Sequence, residues 1–174
     1  MSLFEKAYRF TKAREVMASG YYPYFAAIEE SYDTEVVIRG ERKVMFGSNN
    51  YLGLTHHPKV LEAAEQALRR FGSGCTGSRF LNGTLALHEE LEERLAGFVN
   101  QESALVFSTG FQTNLGVIST LVGRDDHVFS DKLNHASIID GSRLAMGTVH
   151  RYPHGDLRSL ERELARTPSE AGKL

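Results

Sequence analysis

The sequence predicts an α/β fold in which helices flank a mostly parallel β-sheet. From Pro58 onward, stretches with helical apolar periodicity alternate with short apolar runs, which is the pattern of strands and helices in turn. The composition, with 41% hydrophobic and 24% charged residues, is that of a folded protein rather than a disordered one. At 174 residues the chain has room for one ordinary domain.

The first 48 residues are predicted to form an arm that precedes the α/β body. Apolar residues over 4–17 recur at mixed three- and four-residue spacing, which predicts an amphipathic helix. Two β-prone stretches follow at 34–38 and 43–46, and the residues at 39–42 supply a turn between them. This arrangement predicts a hairpin, so residues 1–48 are interpreted as a helix and hairpin arm.

The body, residues 49–174, is predicted to alternate helices and strands. Residues 104–107 are apolar on both faces, which is typical of a strand covered on both sides in a parallel sheet. We expect the last helix to be capped by Asp156 and to turn Leu157, Leu160 and Leu164 inward. The full predicted order is helices at 60–71 and 87–98 (the second capped by Thr84 or a neighbour), a strand at 104–107, a helix at 115–121, a strand at 127–129, a helix at 138–146, a strand at 148–152 and a helix from 157.

Charge, cysteine content and hydropathy exclude several functional classes. The formal net charge is −2 and no Lys/Arg run stands out, which argues against a nucleic-acid groove or a polybasic membrane patch. Cys75 is the single cysteine, so a disulfide framework is excluded and too few thiols remain for a zinc site. Apolar runs are too short to span a bilayer, and residues 1–6 carry no signal-peptide pattern. We expect a cytoplasmic protein with no metal.

Residues 72–77 contain a literal G-x-G-x-x-G pattern, but its context argues against dinucleotide binding. That function requires a strand before the glycines and a helix directly after them. Here an amphipathic helix ending at Phe71 precedes the pattern, and residues 78–83 follow with a further glycine. We expect instead a glycine-rich loop that passes close to another backbone segment or to a ligand. An ordinary surface loop stays open for Cys75 and Thr76.

Residues 108–111, Ser-Thr-Gly-Phe, are a candidate phosphate-binding turn. They follow the apolar run at 104–107 and open a predicted helix. Free N–H groups and the positive end of the helix dipole at such a turn favour an anion, and Gly110 lets a phosphate approach the backbone. From the residues alone, an ordinary strand-to-helix turn is an equal alternative.

His135 lies just after the second predicted strand of the body, at the same edge of the sheet. A histidine there could stack on an aromatic ligand, bind a metal or act as an acid or base, and Asp131 could orient it or cap the next helix. From the residues alone, the favoured alternative is that Asn134 caps the helix and His135 is structural. The other histidines singled out are expected to be surface residues (His56 and His57) or structural ones (His88 and His154).

With these segments in place, the chain resembles the α-oxoamine synthase family, whose members are pyridoxal-phosphate enzymes of fold type I. The matching residues occur in family order and are those at 47–54, at 74–84 with His88 and Glu92, at 107–114 and at 130–141. The resemblance runs from near residue 13 to the end of the chain. It implies that the body is the first part of the cofactor-binding large domain.

The resemblance also implies a cofactor and site residues. The cofactor is pyridoxal 5′-phosphate (PLP). The backbone N–H groups of Gly110 and Phe111 are expected to hold its phosphate. His135 is expected to stack on the pyridine ring and to contact the substrate as the catalytic residue. Asn50 matches an asparagine near the amino-acid substrate.

The implied reaction is a decarboxylative condensation of an amino acid with an acyl-CoA. Residues 22–25, 74–84 and 108–111 are most similar to the serine palmitoyltransferase branch, which makes 3-ketodihydrosphingosine from L-serine and palmitoyl-CoA for sphingolipid biosynthesis. Two other branches stay open. 8-Amino-7-oxononanoate synthases use an arginine that has no counterpart at 20–25, and 2-amino-3-ketobutyrate CoA ligases have a cysteine in place of Gly110.

Family subunits are longer than this chain and form homodimers with their sites at the subunit interface. The Schiff-base lysine and the aspartate that pairs with the pyridine nitrogen are expected beyond Leu174, and Lys132 lies outside any family lysine motif. We therefore expect an N-terminal fragment that is inactive by itself, from a homodimeric enzyme. A non-catalytic partner subunit is the alternative of another class, but retention of His135 and of the Gly110 turn favours a catalytic origin.

Overall fold

The computed structural model describes residues 3–174, so that Met1 and Ser2, where the predicted arm begins, lie outside the described residues. The chain divides into two compact units, one ending at Thr76 and the other spanning Gly77–Leu174. We call them unit 1 and unit 2. The division into an arm at 1–48 and a large-domain segment at 49–174 stays a prediction. No helix of the described chain is long and apolar enough to cross a membrane.

Unit 1 begins with two short helices where a single helix was predicted over 4–17. α1 spans Leu3–Tyr8 and α2 spans Lys12–Ala18. The first helix closes with a tight turn, in which the N–H of Phe10 donates to the carbonyl of Ala7 at 3.2 Å. The prediction of one continuous helix is wrong. The apolar side chains of this segment are exposed, so tertiary packing does not support a longer helix.

A three-stranded antiparallel sheet follows, and it contains the predicted hairpin. Its strands are β1 (Glu30–Tyr32), β2 (Glu35–Ile38) and β3 (Glu41–Val44), in that spatial order. The β2–β3 turn consists of Arg39 and Gly40, which both have positive φ (55° and 72°), as two-residue hairpins require. The hairpin is confirmed with a shorter turn than predicted, and β1 was missed.

Helix α3, Pro58–Phe71, completes the regular structure of unit 1. Its start is fixed by Pro58 in the first turn and by His57, whose Nδ1 accepts from the N–H of Lys59 at 3.3 Å. Gly72 ends the helix at a φ of +83°, which only glycine adopts easily. The predicted helix is confirmed, but Val60, Leu68 and most of its apolar face are exposed.

Unit 2 is built around a parallel pair of strands. β4 (His127–Asp131) and β5 (Thr148–Tyr152) pair in register from His127 opposite Thr148 to Asp131 opposite Tyr152. The helices of unit 2 are α4 (Ala86–Phe98), α5 (Gly110–Leu121), α6 (Ala136–Leu144) and α7 (Leu157–Arg166). The alternation of helices and parallel strands confirms the predicted α/β class.

The core of unit 2 lies between α5, α6 and the two strands. Ile118, Val122 and Val128 are buried, and they pack against the partly buried side chains of Ile138, Ala145 and Val149. Helices α5 and α6 meet at Gly141, where an added Cβ would come within 2.9 Å of the Asn114 carbonyl oxygen. Glycine at this position therefore sets the helix spacing.

Local predictions for unit 2 have mixed outcomes. The strand predicted at 104–107 is wrong: these residues form no ladder with the described strands, and the backbone of Val106 bonds instead to the side chains of Arg79 and Glu92. The N-cap of α4 is Leu85, within the predicted choice of Thr84 or a neighbour, and the Thr84 hydroxyl donates to the Arg79 carbonyl. Asp156 caps α7 as predicted, but Leu157 and Leu164 are exposed, so only Leu160 is partly covered.

Candidate functional site

The first turn of α5 presents free backbone donors. Thr109 is its N-cap: the Thr109 hydroxyl accepts from the N–H of Gln112 at 3.1 Å, and the Thr109 carbonyl accepts from Thr113 at 3.0 Å. The N–H groups of Gly110 and Phe111 have no acceptor in the described part of the chain. Open space surrounds them, since no atom lies within 4 Å of where a Cβ on Gly110 would be. The turn therefore fits an anionic group such as a phosphate.

His135 is held at the start of α6 through its Nδ1 atom. This nitrogen accepts from the N–H of Ser137 at 3.2 Å and lies 2.7 Å from the Ser137 hydroxyl. Ser137 is buried, and its hydroxyl also accepts from the Asn114 amide of α5 at 3.0 Å. Because Nδ1 is the acceptor, this network assigns the proton of the neutral ring to Nε2. The ring itself is exposed.

The N-cap of α6 is His135. The alternative that Asn134 caps this helix is therefore wrong. The Asn134 amide instead donates to the Ser130 hydroxyl at 3.2 Å, within the loop after β4. A capping histidine is uncommon, because Ser, Thr, Asp and Asn are the usual N-caps. No sequence signal pointed to His135 as the cap, because the better capping residue Asn134 stands next to it.

The structure brings the α5 turn and His135 together. The ring of Phe111 lies 6.5 Å from the imidazole of His135, centroid to centroid, at an interplanar angle of 76°. The Asn114–Ser137 hydrogen bond joins the same two helices one turn further along. The two rings are thus close together and nearly perpendicular. A flat ligand stacked on His135 could reach Gly110 with an anionic group.

Asp131 ends β4 and secures the loop that carries His135, without touching His135 itself. Its carboxylate accepts from the N–H of Leu133 at 2.8 Å, from the N–H of Gly155 at 3.1 Å and from His154 Nδ1 at 3.1 Å. The Leu133 N–H, followed by the Gly155 N–H and His154, holds the pKa of the Asp131 carboxyl below its usual range. The sequence did not predict the pairing with His154, although both residues follow parallel strands at the same edge.

Asn50 lies in unit 1, and its side chain holds a loop. Its Oδ1 accepts from the N–H groups of Leu54 and Thr55 at 3.0 and 3.3 Å. It lines a cavity of about 210 Å³ together with Asp33 and His56, which form an ion pair at 3.4 Å between Oδ1 and Nδ1. Contact between Asn50 and a substrate stays a prediction.

The glycine-rich segment is confirmed as a close-packed loop at one of its glycines. An added Cβ on Gly83 would overlap the backbone carbonyl of Gly77, so position 83 does not tolerate a side chain, and one on Gly77 would require the Asn82 side chain to move. Gly72 and Gly74 have no atom within 4 Å of an added Cβ. Helix α3 precedes the pattern and turns follow it, which is not the setting of a dinucleotide site.

The chain is similar in sequence to known proteins. Residues 41–173 match the family model of aminotransferase class I and II. The chain is 52% identical over 172 residues to serine palmitoyltransferase of Sphingobacterium spiritivorum, covering 99% of this chain and 43% of that protein. It is 47% identical over 152 residues to 8-amino-7-oxononanoate synthase of Geobacter sulfurreducens, covering 87% of this chain and 39% of that protein.

Solved structures agree with the sequence relatives. Serine palmitoyltransferase of Sphingomonas wittichii aligns with a TM-score of 0.93 at 42% identity, over 99% of this chain and 44% of that one. A variant of the S. paucimobilis enzyme with bound PLP and myriocin aligns with a TM-score of 0.94 at 39% identity, with the same coverage. The α-oxoamine synthase resemblance is thereby confirmed. The chain spans less than half the length of the relatives it matches.

Proposed function

The chain belongs to the aminotransferase class I and II family, and from this premise we propose that it is the first part of a PLP-dependent acyltransferase of the α-oxoamine synthase type. The proposed reaction condenses L-serine with palmitoyl-CoA to 3-ketodihydrosphingosine, with loss of CoA and CO₂. Identity of 52% to a serine palmitoyltransferase over nearly the whole chain supports this choice. 8-Amino-7-oxononanoate synthase is the second candidate, supported by 47% identity over a shorter span.

The observation that carries the proposal is the proximity of the α5 turn to His135. In this proposal the N–H groups of Gly110 and Phe111 hold the cofactor phosphate, aided by the dipole of α5. When bound, PLP supplies an electron sink for the carbanion formed at the α-carbon of the amino acid. In this proposal Gly110, Phe111 and His135 hold the cofactor in one orientation.

His135 is proposed to act through its ring face and through Nε2. The exposed imidazole stacks on the pyridine ring, and Phe111 stands edge-on beside it at 6.5 Å. The Ser137 contacts hold Nδ1 as an acceptor, which leaves the Nε2 proton for donation to the carboxylate of the amino acid. Asn50 is proposed to lie near the same substrate.

Further parts of the proposal concern the whole protein. We propose that the Schiff-base lysine comes from a segment outside this chain, since the chain covers 43% of the serine palmitoyltransferase relative and Lys132 matches no family lysine motif. We also propose a cytoplasmic homodimer with no nucleic-acid partner.

The experiment is a substrate matrix with the full-length protein that contains this chain. L-Serine, glycine and L-alanine are each assayed against palmitoyl-, pimeloyl- and acetyl-CoA, with CoA release as the readout. We expect the highest kcat/KM for L-serine with palmitoyl-CoA. A preference for L-alanine with pimeloyl-CoA would instead establish the second candidate, and no CoA release with any pair would reject the acyltransferase proposal.

A further inference from the structure

We propose that Arg79 and Glu92 form a clamp that positions the anion-binding turn at the start of α5. The clamp lies outside the candidate site and joins Arg79, Glu92 and the backbone of Val106. The proposed effect of the clamp on cofactor binding rests on the function proposed above. Its proposed effect on the geometry of the turn is independent of that function.

The clamp is a bidentate ion pair. Arg79 Nη1 donates to Glu92 Oε1 at 2.6 Å, and Nη2 donates to Oε2 at 3.0 Å. The side chains are largely covered, with 32% of Arg79 and 16% of Glu92 exposed. Two parallel charge-assisted hydrogen bonds fix both distance and orientation, which a single surface ion pair does not.

Both charged groups also bind the backbone of Val106. The Val106 N–H donates to Glu92 Oε1 at 2.8 Å, and its carbonyl accepts from Arg79 Nη1 at 3.4 Å. Val106 therefore has each of its backbone polar groups satisfied by a member of the clamp. Val106 lies in the run at 104–107 for which a strand was predicted.

From Val106 the connection to the turn is short. The next residue, Phe107, packs under α5: a Cβ added at Gly116 would lie 3.1 Å from Phe107 Cε1. Thr109, with φ −146° and ψ 152°, then leads directly into Gly110. A segment held at Val106 and Phe107 leaves two residues, Ser108 and Thr109, before the free N–H groups, so movement of Val106 reaches the turn.

The other end of the clamp is also rigid. Arg79 belongs to the close-packed loop between Gly77 and Gly83, and its carbonyl accepts from the Thr84 hydroxyl at 2.7 Å. Hydrogen bonds from Arg79 and from the Val106 N–H lower the pKa of Glu92 from 4.5 to about 2, so the carboxylate stays ionised near neutral pH. The glycine-rich motif thus has a structural use in holding the turn.

Helix α4 provides a matched control. Glu90 pairs with Arg94 at 2.7 Å on the same helix, but 56% and 77% of these side chains are exposed. An exposed pair of this kind contributes little. Glu90→Gln therefore removes the same charge from the same helix without touching Val106.

The test compares full-length wild-type protein with Glu92→Gln, Arg79→Lys and Glu90→Gln. Dissociation constants are measured for PLP and for pyridoxal, which lacks the phosphate. We expect Glu92→Gln to weaken PLP about tenfold, equivalent to about 1.4 kcal/mol, while pyridoxal affinity changes less than about twofold. Arg79→Lys keeps the positive charge but loses the bidentate contact, so it should weaken PLP binding by a smaller factor than Glu92→Gln does. Glu90→Gln should change neither constant.

Equal weakening of PLP and pyridoxal would overturn the inference, because it would indicate a general loss of folding. Unchanged PLP affinity in both Glu92→Gln and Arg79→Lys would also overturn the inference. If Glu92→Gln fails to fold, Arg79→Lys decides by the same PLP-to-pyridoxal comparison.

A second measurement separates the clamp from the proposed function. Amide hydrogen exchange over residues 106–114 is followed in cofactor-free protein. Faster exchange in Glu92→Gln than in Glu90→Gln supports the clamp, and equal exchange overturns it. If the wild-type protein binds neither PLP nor pyridoxal, the proposed function fails and this comparison alone decides the clamp.

Discussion

Helices α4 and α5 are of similar length and belong to the same unit, but they are attached in different ways. α5 contributes Ile118, 7% exposed, to the core and packs closely against α6. On α4 the leucine stripe is half exposed, with Leu91 at 43%, and Ala96 is the only buried residue. Glu92 attaches α4 to Arg79 and to the backbone of Val106. An amphipathic stripe therefore predicts a helix, but not whether its apolar face is covered.

The largest expected effect is at the core of α5. Ile118→Ala removes a buried side chain between Val122 and Val128, which should lower the free energy of unfolding by about 2–5 kcal/mol. Urea unfolding followed by circular dichroism measures this loss. A loss below about 1 kcal/mol would show that the α5 core does not hold unit 2 together.

Alanine substitutions at two glycines, Gly141 on α6 and Gly97 on α4, should change the free energy of unfolding in opposite directions. Gly141→Ala places a Cβ 2.9 Å from the Asn114 carbonyl oxygen, so it should destabilise by about 1–3 kcal/mol. Gly97→Ala on α4 meets no atom within 4 Å and should stabilise by up to about 1 kcal/mol through helix propensity. The same unfolding assay compares them. If both substitutions stabilise or both destabilise the protein, the proposed difference in packing between Gly141 and Gly97 is contradicted.

The polar attachment of α4 should show in the pH dependence of stability. The pKa of Glu92 is about 2 in the folded protein and 4.5 ordinarily, so its stabilisation is complete above pH 4.5 and is lost as the pH falls toward 2. Glu92→Gln should lack this part of the acid-induced decline. Urea midpoints of both proteins across that range measure the difference, with Glu90→Gln as the control. Parallel curves for wild type and Glu92→Gln would contradict it.

The smallest effect is expected on the exposed face of α4. Leu91→Ala in this chain should cost less than about 1 kcal/mol, because the side chain is already 43% exposed. In the full-length protein, a cost of about 2 kcal/mol or more would show that another segment or subunit covers the stripe. The difference between the two costs tells whether the leucine stripe of α4 is covered in the full-length protein.

Local pattern was enough to predict most helices and the strands β4 and β5. Helix periodicity and turn residues act within a few positions, and parallel strands bring their carboxyl ends to one edge. The residues alone placed the 108–111 turn and His135 at that edge but left their roles open, and the family resemblance supplied the expected roles of Gly110, Phe111 and His135. The free N–H groups of the α5 turn follow from its position at a helix N-terminus.

One miss depends on contacts between distant residues. The apolar run at 104–107 satisfied the pattern of a buried strand, but the Val106 backbone bonds to side chains 14 and 27 positions away. Hydrophobic pattern does not specify backbone hydrogen-bond partners. The cap at His135 was missed because Asn134 is the better cap by propensity, whereas the contacts to Ser137 favour His135.

The most direct test of the account is a crystal structure of the full-length protein with PLP bound. We predict phosphate oxygens about 3 Å from the backbone nitrogens of Gly110 and Phe111, with the pyridine ring lying flat on His135. A phosphate bound away from the α5 turn, or a cofactor ring with no contact to the His135 imidazole, would contradict the assignment of this site.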